Sequence, residues 1–202
     1  MLKELFEAHF YASFPKKHGV FLQVDECTYQ DYFSLVDISA CRGCHFVCNI
    51  HLANREQLKV HSNKITNVVN LAQVFSYVQE EVGETCDYML ESGQAVALVE
   101  MTCTSFNYIK DKRQKARSQL RNTLTLLHTN PDVRSHLETL KERYAVFSWR
   151  ETFNPTVLDS VAQSMTGMLE MTDEVYSPFN ESRFDFDFRL REVRYPDCFE
   201  MA

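Results

Sequence analysis

Two carboxylates flank a short turn in this chain. Asp87 opens the run Asp87-Tyr88-Met89-Leu90, and Glu100 closes the strongly apolar run Ala95-Val96-Ala97-Leu98-Val99. A carboxylate at the end of a buried strand must be solvated, paired or coordinated to a cation. Two of them on adjacent strands can hold a hard divalent cation such as Mg²⁺ through oxygen ligands. Such a cation lowers the pKa of a bound water and neutralises charge on a scissile phosphate. The competing structural reading is a solvated or salt-bridged hairpin end.

The segment 110–121, KDKRQKARSQLR, follows directly. Its six Lys/Arg against one Asp give +5, so the rest of the chain carries -12 of the formal -7 total. Lys110, Lys112, Arg113, Arg117 and Arg121 are candidate phosphate contacts, and binding through them would be salt-dependent. A solvated helix face explains the same residues. Lys115 and Gln119 stand at i and i+4 and so share a face. With Lys112 and Asn122 they form a polar stripe beside the leucines.

A second constellation is Cys41, Cys44, Cys48 and His51, a C-x2-C-x3-C-x2-H spacing with His45 nearby. Thiolate and imidazole ligands suit a structural zinc. However, HFVCNIHL (45–52) alternates like a strand, which would point Cys48 and His51 to opposite faces. Buried, apolar cysteines are the preferred reading. Cys86 and Cys103, beside the two acids, are read as packing residues. No P-loop, dinucleotide glycine motif or G-x-S-x-G elbow is present.

The elements that must position these residues can be read from periodicity. Leu2, Leu5, Phe6, His9 and Phe10 fit a docked terminal helix. Residues 19–24, 31–38 and 45–52 read as strands. Val68, Leu71, Ala72, Phe75, Val78 and Val82 recur at helical spacing, predicting a helix over 64–82 ended by Gly83. The runs 86–90 and 95–102, separated by Ser92-Gly93, predict a β-hairpin. Helices are expected over 110–128 and 132–142, a strand over 144–149, and a helix after Pro155. In FDFDFRL, Phe184, Phe186, Phe188 and Leu190 would share one face of a strand. The fold class is therefore α/β: a mixed central sheet flanked by helices in one domain over 1–202. Its core is about 64–149, with an N-terminal extension 1–63 and a C-terminal helix and strand in 155–202.

Composition bounds the rest. The 202 residues are 45% hydrophobic and 24% charged, which is globular and excludes a disordered or collagen-like chain. The net charge of -7 excludes a uniformly basic nucleic-acid coat. No apolar run is long enough to span a membrane. The first residues lack the pattern of a secretory leader. With seven cysteines read as reduced thiols, a cytoplasmic location is expected.

Taken in this order, helix, Asp87 on one strand, Glu100 on the next and a following helix with Gln119, residues 64–149 resemble the PD-(D/E)xK nuclease superfamily. The resemblance implies a restriction-endonuclease-like core with Mg²⁺ held by Asp87 and Glu100. It implies a further acid from the first helix, Glu81 in preference to Glu80, and a helical glutamine, Gln119. The motif's lysine falls on Thr102, in Glu100-Met101-Thr102, and a hydroxyl supplies no positive charge. Lys115 is the residue to which the lysine's role could have moved.

Two functions follow. One is Mg²⁺-dependent phosphodiester hydrolysis on nucleic acid by Asp87, Glu100, Lys115 and Gln119. The other is a catalytically inactive nuclease-fold subunit that docks a protein partner or a second copy through the aromatic C-terminal strand, extended by Tyr195, Phe199 and Met201.

Overall fold

Strand β4 (Ala95–Thr104) is the hub of the sheet, and its composition says why. Val96 and Leu98 enter one apolar core, while Ala95, Ala97, Val99 and Met101 enter another. A strand buried on both faces loses its polar alternation and reads as a continuous apolar run. The computed structural model describes residues 2–18, 24, 26–36, 56–104, 108–151, 180 and 183–201.

Among these residues the sheet has seven strands. β1 (Glu26–Val36), β2 (Glu56–Asn70), β3 (Tyr88–Ser92) and β4 form an antiparallel series. β5 (Glu142–Glu151) and β6 (Arg189–Arg194) continue it in parallel, and β7 (Cys198–Met201) pairs in parallel with β2. The architecture is thus mixed α/β, with helices packed on the sheet.

The helices share one core. The N-terminal run comprises α1 (Leu2–Glu4), a π-helical turn (Leu5–Phe10) and α2 (Tyr11–Ser13). It buries Leu2, Phe6 and Phe10 against Leu124, Leu127 and Val133 of the later helices' core. Leu5 is only partly buried and His9 is exposed, bonded to Asp132. α4 (Ile109–Thr129) lays Leu120, Leu124 and Leu127 on Val96, Leu98 and Ala145. α5 (Pro131–Thr139) follows, capped by Asn130, whose Oδ1 accepts from the N–H groups of Asp132 and Val133. On the opposite face Phe33, Leu58, Tyr88, Val99, Val146, Phe199 and Met201 form the second core.

The hairpin and α4 lie where periodicity places them; the helix expected over 132–142 ends at Thr139, and the strand expected over 144–149 already begins at Glu142. The helix expected over 64–82 does not lie there. Residues through Asn70 belong to β2, and the helix is only α3 (Leu71–Ser76), capped by the Asn70 side chain. β2 is paired on both edges here, with Val68 opposite Cys27 and Leu90. Val68 and Val69 enter different cores, so the alternation seen over Leu58–Ser62 is lost at this end of the strand. Its Ile65, Thr66, Val68 and Val69 are the β-branched residues that favour a strand. Gly83 therefore ends no helix; at φ +73° it lies in the irregular stretch before Asp87.

The strand expected through FDFDFRL is also corrected. Asp185–Asp187 form a 3-10 turn with Phe186 at φ 56° and Asp187 at φ 60°, and strand begins only at Arg189. Phe184 and Phe188 are buried while Phe186 is exposed, so the three rings do not share a face. Phe199 and Met201 are buried in the second core. The strands expected over 19–24 and 45–52, the Cys41/Cys44/Cys48/His51 set with His45, and the helix after Pro155 lie wholly or almost wholly outside the described residues. No described helix is long and apolar enough to cross a membrane.

The β3–β4 turn is a two-residue Gly93-Gln94 connection between Ser92 and Ala95, with Gly93 at φ +60°. A Cβ at Gly93 would also meet Lys64 Cδ at 2.6 Å. Gly93→Ala is expected to lower unfolding stability by about 1–2 kcal/mol, the cost of a left-handed L-residue. Gly93→Asn should cost less, and urea melts of both variants check the order.

Candidate functional site

Asp87 is fixed by its backbone before its side chain is considered. Its N–H donates to Val99 O at 2.9 Å, and its carbonyl accepts from the N–H groups of Leu71 at 2.8 Å and Ala72 at 3.4 Å. One carboxylate oxygen, Oδ2, accepts from Met101 N–H at 2.8 Å. It stands one residue beyond the last register pair of the hairpin, Tyr88 with Val99. Glu100 stands one residue beyond Val99 on the neighbouring strand. Glu100 follows Val96 and Leu98 onto the helix side of the sheet and is only 7% exposed. The two acids therefore occupy the open end of the hairpin together.

Cys86 reports on both. Burial pushes its thiol well up, and the negative charges of Glu100 and Asp87 push it further. It stays a neutral thiol in the core, which supports the packing reading for Cys86. Cys103 departs from that reading: it is exposed, and its sulfur accepts from Gln57 Nε2.

The polar stripe of α4 reaches the site mainly through the chain that precedes Asp87. Asn122 Nδ2 donates to the carbonyls of Val82 at 2.7 Å and Glu84 at 2.9 Å. Gln119 Nε2 donates to Thr85 O at 3.2 Å. Cys86 N–H donates to Thr123 Oγ1 at 2.9 Å, and that hydroxyl donates back to Gln119 O. Residues 82–86 have no strand or helix of their own, so these side chains satisfy backbone groups that need partners. Gly83 passes close beneath: a Cβ there would lie 3.3 Å from Asn122 Nδ2. Gln119 thus positions the segment leading to Asp87.

Lys115 Nζ lies 2.9 Å from Glu84 Oε1, both side chains being about half exposed. Its pKa is raised, first by this hydrogen bond and further by the charges of Glu84 and Glu100. Lys115 is therefore a persistent cation within the field of Glu100. Glu81, by contrast, is exposed and lies outside any helix, as does Glu80. The acid that faces the basic helix is Glu84, which the sequence alone gave no reason to choose over its neighbours.

The basic stripe is largely committed within the chain. Arg113 forms a two-point ion pair with Glu192, Nε to Oε2 at 2.9 Å and Nη2 to Oε1 at 3.0 Å. The Glu192 side chain is inaccessible to solvent and also accepts from Trp149 Nε1 at 2.8 Å. Arg121 pairs with Asp185, and the guanidinium groups of Arg117 and Arg121 each lie 5.5 Å from the Phe184 ring centre. Lys110 is exposed and Lys112 half-buried in the first turn of α4. Sequence reading missed Glu192 and Trp149; Glu192 sits between Arg191 and Val193 with no local sign of burial.

Among the described residues no group of three or more His, Cys, Asp or Glu side chains is arranged to hold a metal ion. Two carboxylates are the number that Mg²⁺ commonly takes from a protein, the rest of its shell being water. No family model, curated protein or solved structure matches the chain.

Two stability tests follow from this geometry. Arg113→Ala should cost about 3–5 kcal/mol, because it strands a buried carboxylate. Asn122→Ala should cost about 1–3 kcal/mol and raise amide exchange selectively at 82–87, since it unsatisfies two carbonyls. Urea melts and native-state hydrogen exchange read both.

Proposed function

We propose that this chain is a PD-(D/E)xK nuclease-like protein whose acid pair, Asp87 and Glu100, holds Mg²⁺ for phosphodiester hydrolysis on nucleic acid. The single observation that carries the reading is the shared position of the two acids at the open end of the β3–β4 hairpin, under a helix whose Lys115 lies in the field of Glu100. Element order offers partial support for a restriction-endonuclease-like core: an N-terminal helical run, the antiparallel β1–β2–β3–β4 series with α3 between β2 and β3, then α4, α5 and β5 parallel to β4. In that scheme the first helix is the N-terminal run, which leaves Glu81 without its assigned place.

When bound, the cation would supply charge to a phosphate oxygen and acidity to a water. Asp87 and Glu100 would hold it, with Asp87 kept in orientation by Met101 N–H. Lys115 takes the role that Thr102 cannot fill. Its raised pKa keeps it an ammonium, so it stabilises phosphate charge and does not act as a base. It must exchange Glu84 for the phosphate to do so. Gln119 acts on Asp87 through Thr85.

A second reading, a non-catalytic member of the same fold that docks a protein, is favoured by Thr102 and by the internal pairing of Arg113 and Arg121. The aromatic residues assigned to such docking are mostly buried. Phe186 and the half-buried Tyr195 are those still reaching solvent.

Purified protein with Mg²⁺ or Mn²⁺ is expected to cleave single- or double-stranded nucleic acid. Asp87→Ala and Glu100→Ala should abolish cleavage, and Lys115→Ala should reduce it by about 10²–10³-fold, the usual effect of losing one charge-stabilising donor. Mn²⁺ binding lost in Asp87→Ala, with no turnover by the wild type, would overturn the catalytic reading and leave the non-catalytic one. Absence of Mn²⁺ binding would overturn the metal site itself. Binding should show a shallow salt slope, near -3 with Lys110, Lys112 and Lys115 engaged, where six free cations would give about -5.

A further inference from the structure

The far end of α4 carries an arrangement that the acid pair does not use. A cavity of about 540 Å³ is lined by His128, Arg134, Glu138, Arg143, Phe186 and Asp187. Arg143 is the central group. It lies on the helix side of β5, two residues before buried Ala145, and its side chain is 20% exposed. Among the described residues its guanidinium makes no hydrogen bond, the backbone being paired in the β4–β5 ladder. Its one ion pair, to Asp187 Oδ2, is 3.9 Å long, and Asp187 is 84% exposed. A guanidinium largely withdrawn from water has five donors to satisfy, so one without a hydrogen bond is poised for an acceptor.

The wall around Arg143 is specific in shape. Arg134 uses Nε for Glu138 Oε1 at 2.8 Å, which leaves its terminal nitrogens for another group. Burial lowers the pKa of His128, and the charges of Arg134 and Arg143 act in the same direction, against the Leu124 carbonyl and Glu138. Both guanidiniums line the same cavity as the His128 ring.

Phe186 stacks on His128 with ring centres 3.9 Å apart and planes at 14°, yet remains 43% exposed. It is held there by consecutive left-handed residues, Phe186 and Asp187, neither of them glycine. Such strain persists where the surroundings over-determine it, commonly at ligand sites. Here the surroundings are the Arg121–Asp185 pair and the buried rings of Phe184 and Phe188.

We propose that this cavity binds a small phosphate ester, its phosphate gripped by Arg143 and Arg134 and a flat ring of the same ligand stacked on the exposed face of Phe186. Two guanidinium forks match the several oxygens of a phosphate better than the two of a carboxylate. The phosphate displaces Asp187, whose distance from Arg143 is already beyond hydrogen-bond length, and adds to the Arg134–Glu138 pair through the terminal nitrogens. Nothing in this depends on the acid pair at the hairpin end.

Calorimetric titration with inorganic phosphate and with phenyl phosphate at fixed ionic strength tests it. Both probes should bind saturably, phenyl phosphate the tighter, and Phe186→Ala should remove that preference. Arg143→Gln should weaken both by about tenfold or more, the loss of a charge-assisted hydrogen bond. Asp187→Asn keeps a residue that tolerates the left-handed backbone and removes the competing charge, so both probes should bind more tightly. Failure of either probe to saturate the wild type, or unchanged affinity in both Arg143→Gln and Asp187→Asn, would overturn the site. Equal affinity for the two probes would overturn the stacking role of Phe186.

Discussion

The candidate site depends on how residues 82–86 obtain hydrogen bonds. This stretch runs between α3 and β3 with no ladder of its own, and its backbone groups lie against α4. Asn122, Gln119 and Thr123 supply the partners, one side chain after another along the stripe. The polar stripe therefore serves as a surrogate strand edge for the chain that delivers Asp87. Asp87 is then locked from the other side by Val99 O, the α3 amides and Met101 N–H. With both sides fixed, the orientation of this carboxylate follows from packing of α4 on the sheet.

That packing is registered by charge as well as by apolar contact. Leu120, Leu124 and Leu127 set the depth of α4, but an apolar stripe alone tolerates sliding. Arg113 meets Glu192 in a two-point pair that Trp149 also joins, so the first half of the helix has a defined place over β5 and β6. Arg121, with Asp185 and Phe184, does the same further along. Much of the +5 on this helix is thus balanced within the fold. The sum of charges along a segment says little about the field it presents until partners are known. Internal pairing of this kind lets a chain of net charge -7 carry so basic a helix.

The hairpin and α4 were legible because each buries residues in one repeating pattern: a positive-φ glycine between two apolar runs, and leucines at helical spacing. β2 was opaque for a physical reason. Its last residues are buried on both faces, so successive Val68 and Val69 are both apolar, and so short an apolar run fits either period. The short α3 that follows it made a helical count succeed over part of the window. Within the site, the acids and the Lys115–Gln119 face were legible from type and spacing. Glu84 and Glu192 were not, since their importance comes from what α4 brings to them across 31 and 79 positions, respectively. Asn122 was visible in the stripe, but its partners are backbone carbonyls, which leave no trace in side-chain type.

The Asp185–Asp187 turn is the opposite failure. Its alternation of Phe and Asp is as regular as any strand in the chain, and strand period predicts one common face for three rings. The fold instead buries Phe184 and Phe188 and joins them by a hydrogen bond from Phe184 N–H to Phe188 O at 2.6 Å. Closing that loop over three residues forces two of them to positive φ, at about 1–2 kcal/mol each for L-residues. A glycine at either position would relieve this, and the chain has only five glycines in all. The anchoring rings and the Arg121–Asp185 pair are sufficient to hold the turn. They explain its persistence without explaining why Phe186, the one large apolar side chain it exposes, is set against His128 beside Arg143, whose guanidinium makes no hydrogen bond among the described residues. A turn needed only to connect two buried rings would be served by any small residue at that tip, so the identity of Phe186 points to what lies in front of it.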